Sequence, residues 1–217
     1  TRVEMEAGEG TAPGLQPAQN LEQAFNDRDR DRDEDLVDLV VEIEHRLNGN
    51  ATVELGIGRK SRAPSYIERF AWIPIEATAG LGDGNNHVGN LDLNPEVSHE
   101  LELGLVWQSS AAYFTPRVFY RDVDDYIQGT PASDSEMDLI MVSRVNGDST
   151  PLRFNNVEAE LFGADAGFGY RFSNAWHADG TISYVRGRRG DINDDLFRIA
   201  PLNGTLSVSY ETGDWQL

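Results

Sequence analysis

The sequence predicts an all-β fold: an antiparallel meander of about eight or nine strands that forms part of a larger transmembrane β-barrel. Three observations predict it. Apolar and polar residues alternate with period two, the alternating runs are longer than the strands of soluble domains, and the connections between them switch between short and long. In the run from Phe162 to Arg171, Phe162, Ala164, Ala166, Phe168 and Tyr170 share one face of an extended strand, and Gly163, Asp165, Gly167, Gly169 and Arg171 share the other. A helix would scatter these residues around its axis. Turn-to-turn distances leave room for roughly 10 to 15 residues per strand, against about 5 to 6 in soluble domains and about 9 to 11 for the apolar zone of a bilayer.

Taken in order, the chain opens with Val3, Met5 and Ala7 alternating against Arg2, Glu4 and Glu6, as in a strand already under way. Residues 8–35 show no apolar period and read as a long exposed loop. Its aspartates at 27, 29, 31, 33 and 35 invite a calcium reading, but the helix-loop-helix calcium loop needs glycine at its sixth place and glutamate at its twelfth. Counted from Asp27 these places hold Arg32 and Asp38, and Arg28, Arg30 and Arg32 would compete with an ion, so the run reads as solvated charge. From Leu36 a strand returns, with Val37, Leu39, Val41, Ile43 and Leu47 on one face. Asn48-Gly49-Asn50 supplies residues that tolerate positive φ in a tight hairpin, and Ala51, Val53, Leu55 and Ile57 alternate along the return strand.

Residues 63–96 form a second long connection. Strands follow at residues 99–107 and from Ala111 to about Gln128, where Pro116 predicts an edge strand or a bulge; which face of residues 113–127 points outward is left open. Residues 129–150 form a third long loop, and later strands contain Trp176 to Tyr184 and Leu202 to Tyr210. The short connections are 48–50, 108–110, 171–175 and 211–214, with residues 187–195 intermediate. This is the two-ended asymmetry of an outer-membrane barrel, tight periplasmic turns at one rim and long external loops at the other. Trp107, Tyr113, Tyr170, Phe172, Trp176, Tyr210 and Trp215 lie near short turns, where an interfacial girdle belongs.

Composition narrows the function. A formal charge of −19 argues against a nucleic-acid partner, which needs clustered Lys and Arg, and leaves cations and cationic ligands open. The absence of cysteine removes disulfides, thiolate metal sites and cysteine nucleophiles together. No run of about 18 apolar residues could form a membrane helix, yet a mean hydropathy of −0.47 suits a barrel wall, where only every second residue is apolar. No G-x-S-x-G elbow, H-E-x-x-H pair or phosphate-cradling glycine loop points to an enzyme.

Several stretches carry a family resemblance. They are Arg62-Ala63-Pro64-Ser65-Tyr66 with Glu68-Arg69-Phe70, then Gly89-Asn90-Leu91-Asp92-Leu93-Asn94-Pro95-Glu96, then His99 to Leu105, and the strand from Pro116 to Gly129. These segments resemble the C-terminal barrel of TonB-dependent outer-membrane receptors, and the resemblance runs through essentially the whole chain. The phrases at residues 66–84 and 123–129 are most similar to the copper receptor branch. The resemblance implies energy-dependent import of copper across the bacterial outer membrane, with a plug inside the barrel and contact to the TonB complex. Neither plug nor TonB box is found in these 217 residues, and a family receptor closes with about 22 strands. Residues 1–217 are therefore expected to be a partial barrel domain from a longer gene product.

Copper(I) favours thioether and thiolate ligands, and imidazole also binds copper. Without cysteine, the candidate ligands are Met137 and Met141, four residues apart in a predicted external loop, and His87 in the loop GDGNNHVGN. Met5, His45, His99 and His177 complete the set of possible donors. The competing expectation for Met137 and Met141 is a small apolar patch packing the loop, and for His87 a locally hydrogen-bonded loop residue. Glu42, Glu44, Glu54, Glu100, Glu102 and Asp165 suit a wet lumen, where they hydrate the wall, pair with plug arginines or attract cations. Acidic external loops could also hold divalent ions that bridge lipopolysaccharide. No resident cofactor is expected, since copper would be substrate; the partners are outer-membrane lipid, lipopolysaccharide, the TonB complex and a metal or metal chelate. Two alternatives have other consequences: a siderophore or other chelate receptor of the same family, or a secreted acidic β-sandwich binding calcium or glycans. A closed eight-stranded barrel serving as an adhesin or porin is a further option.

Overall fold

The computed structural model describes residues 16–75, 84–213 and 215–216; the strand expected over residues 2–7 lies outside them. In chain order the elements are α1 (Gln16–Asn26), β1 (Leu39–Asn48), β2 (Ala51–Arg62), α2 (Tyr66–Phe70), β3 (His87–Val88), β4 (Glu96–Gln108), β5 (Ala112–Pro131), α3 (Met137–Val145), β6 (Leu152–Arg171), β7 (Trp176–Arg189), β8 (Asp194–Asp195), β9 (Asn203–Thr212) and β10 (Trp215–Gln216). The strands form one sheet in the order β1-β2-β4-β5-β6-β7-β9-β10, with β3 added parallel to β6 and β8 added to β7. This is the predicted antiparallel meander, part of a β-barrel. β5 and β6, at 20 residues each, exceed the predicted lengths. No described helix is long and apolar enough to cross a membrane.

The chain divides into two compact units. The wall unit comprises residues 37–61, 97–124 and 158–217. Its registers sort the side chains into two faces. On one, Val41 is opposite Ile57, Leu101 opposite Tyr120, Leu103 opposite Val118, Ala166 opposite Ile182, and Ala178 opposite Val208. These apolar side chains are largely exposed, Leu206 to 71% and Val208 to 55%. An exposed apolar surface of this extent on a soluble protein would demand a partner; an outward apolar band is what the wall of a transmembrane barrel presents. The β-sandwich expectation fails here, because such a fold buries its apolar face against a second sheet, whereas the strands here lie in one sheet with that face exposed.

The hairpin turns differ from expectation in one detail. Neither Gly49 nor Asn50 adopts positive φ; the β1–β2 turn is closed instead by the Asn50 N–H donating to the Asn48 side chain at 2.8 Å. Pro116 also sits otherwise than predicted, since β5 is a central strand between β4 and β6. Its ladder with β4 lapses between the Gly104–Arg117 and Trp107–Phe114 pairs and resumes in the same register. The missing N–H is therefore absorbed by a local gap rather than an edge. The intermediate loop at 187–195 contracts to the turn 190–193, with Asn193 at φ 52, because Arg188 and Arg189 pair with Asp195 and Asp194.

Two inner-face glycines of β6 are positions of close approach. A Cβ on Gly163 would lie 2.4 Å from the Tyr184 carbonyl and 2.7 Å from the Phe119 ring, and one on Gly169 would lie 2.2 Å from the Tyr113 ring. Tyr113 thus covers the inner face and donates to Asp179 at 3.1 Å. The girdle expectation for Tyr113 is corrected, and Phe114, opposite Trp107, takes the outward place. Tyr170 with Phe172, centroids 5.1 Å apart, and Trp176 with Tyr210, 4.8 Å apart, hold the expected outward positions beside short turns.

The loop unit comprises residues 1–36, 62–96 and 125–157. Three predicted loops contain helices. In α1, Ala18 and Phe25 are buried seven residues apart on one side. Phe25, Phe70 and Leu91 form one small core with Trp72 against it, and Leu93, Ile127 and Phe154 form another. The charged run at 27–35 is a strap rather than free solvated chain: Arg28 pairs with Asp92, Arg32 donates to the Leu91 carbonyl at 3.0 Å, and Glu34 pairs with Arg69.

Candidate functional site

Within the wall unit the second face is polar. Arg117 bridges Glu54 at 3.3 Å and Glu102 at 2.9 Å; Glu100 is bridged by Lys60 at 2.7 Å and Arg121 at 3.5 Å. Three of the six acids expected in the lumen are thus neutralised by cations of the wall itself, whereas Glu42, Glu44 and Asp165 are exposed. Arg117 and Arg121 were not identifiable as counterions without the register, which places Arg121 opposite Glu100 and Arg117 opposite Gly104. The β6–β7 turn adds His177, 3.7 Å from Asp179. His45 is on the outward face and also close to a short turn.

In the loop unit, α2 begins with a capping box: Ser65 accepts from the Glu68 N–H and Glu68 accepts from the Ser65 N–H at 2.6 Å. Arg62 reaches Glu68 at 2.8 Å and grips Glu96 with two nitrogens at 2.8 and 2.6 Å, while Glu96 also accepts the Ile127 N–H at 2.8 Å. The Arg62-Ala63-Pro64-Ser65 and Asn94-Pro95-Glu96 stretches, far apart in sequence, therefore meet as two halves of one clamp. Burial pushes the Glu68 carboxyl up, but the Arg62 and Ser65 hydrogen bonds outweigh it and leave it below the ordinary carboxylate value.

The three candidate ligands occupy different surroundings. Met137 and Met141 lie four residues apart on α3 and are 53% and 48% exposed, so both thioethers sit on one open helix face. The opposite face, with Leu139, Val142 and Ser143, is buried. The apolar packing expected of this segment falls to Leu139 and Val142, not to the methionines. His87 is only 2% exposed. Its ring lies 5.2 Å from that of Phe154, its Nδ1 is 3.2 Å from the Asn85 carbonyl, and its backbone pairs with β6. Neighbouring Asn86 donates to Ser143 Oγ at 2.9 Å on the buried side of α3, away from the methionines. Among the described residues, no group of three or more His, Asp or Glu side chains is arranged to hold a metal ion.

Asp148 locks this corner. It accepts the Asn86 N–H at 2.7 Å and the Thr150 N–H at 2.8 Å. Burial raises its pKa, but these backbone bonds and the Thr150 and Ser143 hydroxyls lower it further, for a net fall. A carboxyl depressed by folding contributes stability that is present above the unfolded value, about 3.9, and lost as pH falls through the lower folded value. Protection of the Asn86 and Thr150 amides from hydrogen exchange is expected to be flat from neutral pH to about 4 and to drop below it. In Asp148→Asn the drop should vanish and protection be low throughout; an unchanged acid profile would refute the lock.

The TonB dependent receptor-like, beta-barrel family matches residues 29–217. The chain belongs to the TonB-dependent receptor family. No curated protein sequence matches it. Among solved receptors, the chain is similar to a structure titled copper transporter OprC, at 23% identity and a TM-score of 0.64, covering 82% of this chain and 24% of that one. It is similar to the siderophore receptor PirA from Pseudomonas aeruginosa at 17% identity and a TM-score of 0.56, covering 80% and 30%. A ferric enterobactin receptor mutant, PfeA, from the same organism gives 16%, 0.56, 82% and 26%. The chain thus spans about a quarter of the length of these TonB-dependent receptors.

Proposed function

We propose that residues 1–217 form part of the barrel domain of an outer-membrane receptor that imports a metal or metal chelate in a TonB-dependent way, with copper as the substrate. The copper reading is carried by Met137 and Met141, two soft donors on an exposed helix face that takes no part in the buried packing. Similarity to the copper transporter supports the same choice. His87 is assigned a structural role, because its burial against Phe154 leaves it no route to ligand without displacing β3. In this reading the outward face meets lipid, the ion-paired face keeps the lumen wet, and the TonB complex acts through a plug region of the longer receptor. The protein is a transporter, not an enzyme.

Copper(I) binding to the intact receptor tests this. Met137→Ala and Met141→Ala are each expected to weaken it about tenfold, ~1.4 kcal/mol. Equal affinity in wild type and both variants would remove the methionine site. Similarity to the two siderophore receptors favours a second reading, uptake of a ferric chelate; unchanged copper affinity together with chelate-dependent growth would select it.

A further inference from the structure

Sulfur is scarce in this chain: it has no cysteine and three methionines, so Met137 and Met141 are two of its three sulfur side chains. Both stand on one face of α3. At four residues apart their β-carbons are about 5–6 Å from each other, and the flexible methionine side chain lets the two sulfurs converge on one ion. The rest of the helix holds that face open. Leu139 and Ser143 are fully buried and Val142 nearly so, Asp138 accepts from Asn20 of α1 at 2.9 Å, and Asn86 donates to Ser143 from the buried side. Turning the methionines inward would break all of these contacts, so both thioethers, each about half exposed, meet water. Their exposure also decides which methionines a dissolved oxidant reaches. In the reaction with peroxide a sulfur lone pair attacks one peroxide oxygen: an S–O bond forms as the O–O bond breaks, sulfur is oxidised by two electrons to the sulfoxide, and the peroxide is reduced to water. For a buried methionine the new polar oxygen disrupts the core. Here water solvates it at once, since the buried packing of α3 is made by Leu139 and Val142. The loss falls on the donor instead, because a sulfoxide presents a hard oxygen where copper(I) favours soft sulfur.

We propose that Met137 and Met141 are a paired oxidation site, at which peroxide converts both thioethers to sulfoxides and so switches off copper(I) binding while the fold stays intact; the proposal rests on the copper reading above. Copper uptake then falls when peroxide is present, and reduction of the sulfoxides restores it. The full-length receptor in detergent micelles would be treated with hydrogen peroxide, freed of it, and titrated with copper(I) under anaerobic conditions. Beside it stands Met137→Leu/Met141→Leu, which keeps apolar bulk and lacks sulfur. Wild type is expected to lose about tenfold or more in affinity as mass spectrometry shows an oxygen added to each residue, and to regain it with the pair of sulfoxide reductases that together act on both epimers. The double variant should bind weakly before treatment and change no further, and heat-modifiable migration should be the same throughout. Undiminished affinity in wild type carrying both sulfoxides would overturn the proposal, as would an equal further loss in the double variant or loss of heat-modifiable migration on oxidation. Failure of these residues to oxidise while free methionine in the same solution does would also overturn it. Equal copper(I) affinity in untreated wild type and double variant is a different failure: it removes the copper reading itself, and the switch with it.

Discussion

Gly163→Val is expected to prevent the β6–β7 hairpin from closing in its native register. A Cβ at this position would lie 2.4 Å from the Tyr184 carbonyl and within 2.8 Å of two Phe119 ring atoms. The ring can turn, but the carbonyl is part of the strand paired with β6, where Gly163 is opposite Val185. Relief therefore requires separating the strands, and the cost should reach or exceed the upper end of the usual overpacking range, about 1–3 kcal/mol. Gly169 provides the internal comparison, since its obstacles are the Tyr113 ring at 2.2 Å and the Asp179 carboxylate at 2.7 Å, both side chains. Urea unfolding of the refolded receptor should show Gly163→Val strongly destabilised with or without Phe119→Ala. Gly169→Ala should be substantially restored by Tyr113→Ala. Gly49→Ala, with open space around it and no positive φ, should leave the midpoint unchanged. Rescue of Gly163→Val by Phe119→Ala would show that the ring, not the backbone, sets the constraint.

These glycines show what the sequence discloses and what it withholds. Period two along Phe162 to Arg171 reveals the strand and its two faces, because alternation is a property of one strand alone. What covers each glycine depends on Tyr113 and Phe119 from a strand about 50 residues earlier, and only the cross-strand register supplies that. The inner ion pairs are hidden for the same reason: Glu100 and Arg121 are both visible, their apposition is not. The helices fail differently. α1 buries only Ala18 and Phe25, too sparse for a helical period to be seen in a polar stretch. α2 carried a readable signal, Ser65 followed three residues later by Glu68, which is the capping-box signature. At the candidate site, the four-residue spacing of Met137 and Met141 discloses a shared face once a helix is granted. The burial of His87 comes from tertiary pairing with Leu152 and has no local mark.

Arg69→Met is expected to release the charged strap and loosen the base of α2. Arg69 is 5% exposed; one guanidinium nitrogen meets both the Glu34 carboxylate and the Leu93 carbonyl, the latter at 2.6 Å. Methionine fills much of the volume, so the loss is chiefly electrostatic: a largely buried carboxylate loses its cation and a buried carbonyl its donor. Breaking such a pair from one side costs about 3–5 kcal/mol, because the remaining charge is left desolvated. The strap has a ready alternative in water, so the free energy should appear as local opening rather than global unfolding. Hydrogen exchange is expected to accelerate in residues 28–34 and in α2, with the wall strands β6 and β7 unaffected. Adding Glu34→Leu removes the orphaned carboxylate and should recover most of the protection, a coupling that a double-mutant cycle would measure directly. If Arg69→Met alone left exchange in the strap at its wild-type rate, the contacts to Asp92 and Leu91 made by Arg28 and Arg32 would suffice to hold it. The buried arginine would then serve α2 alone.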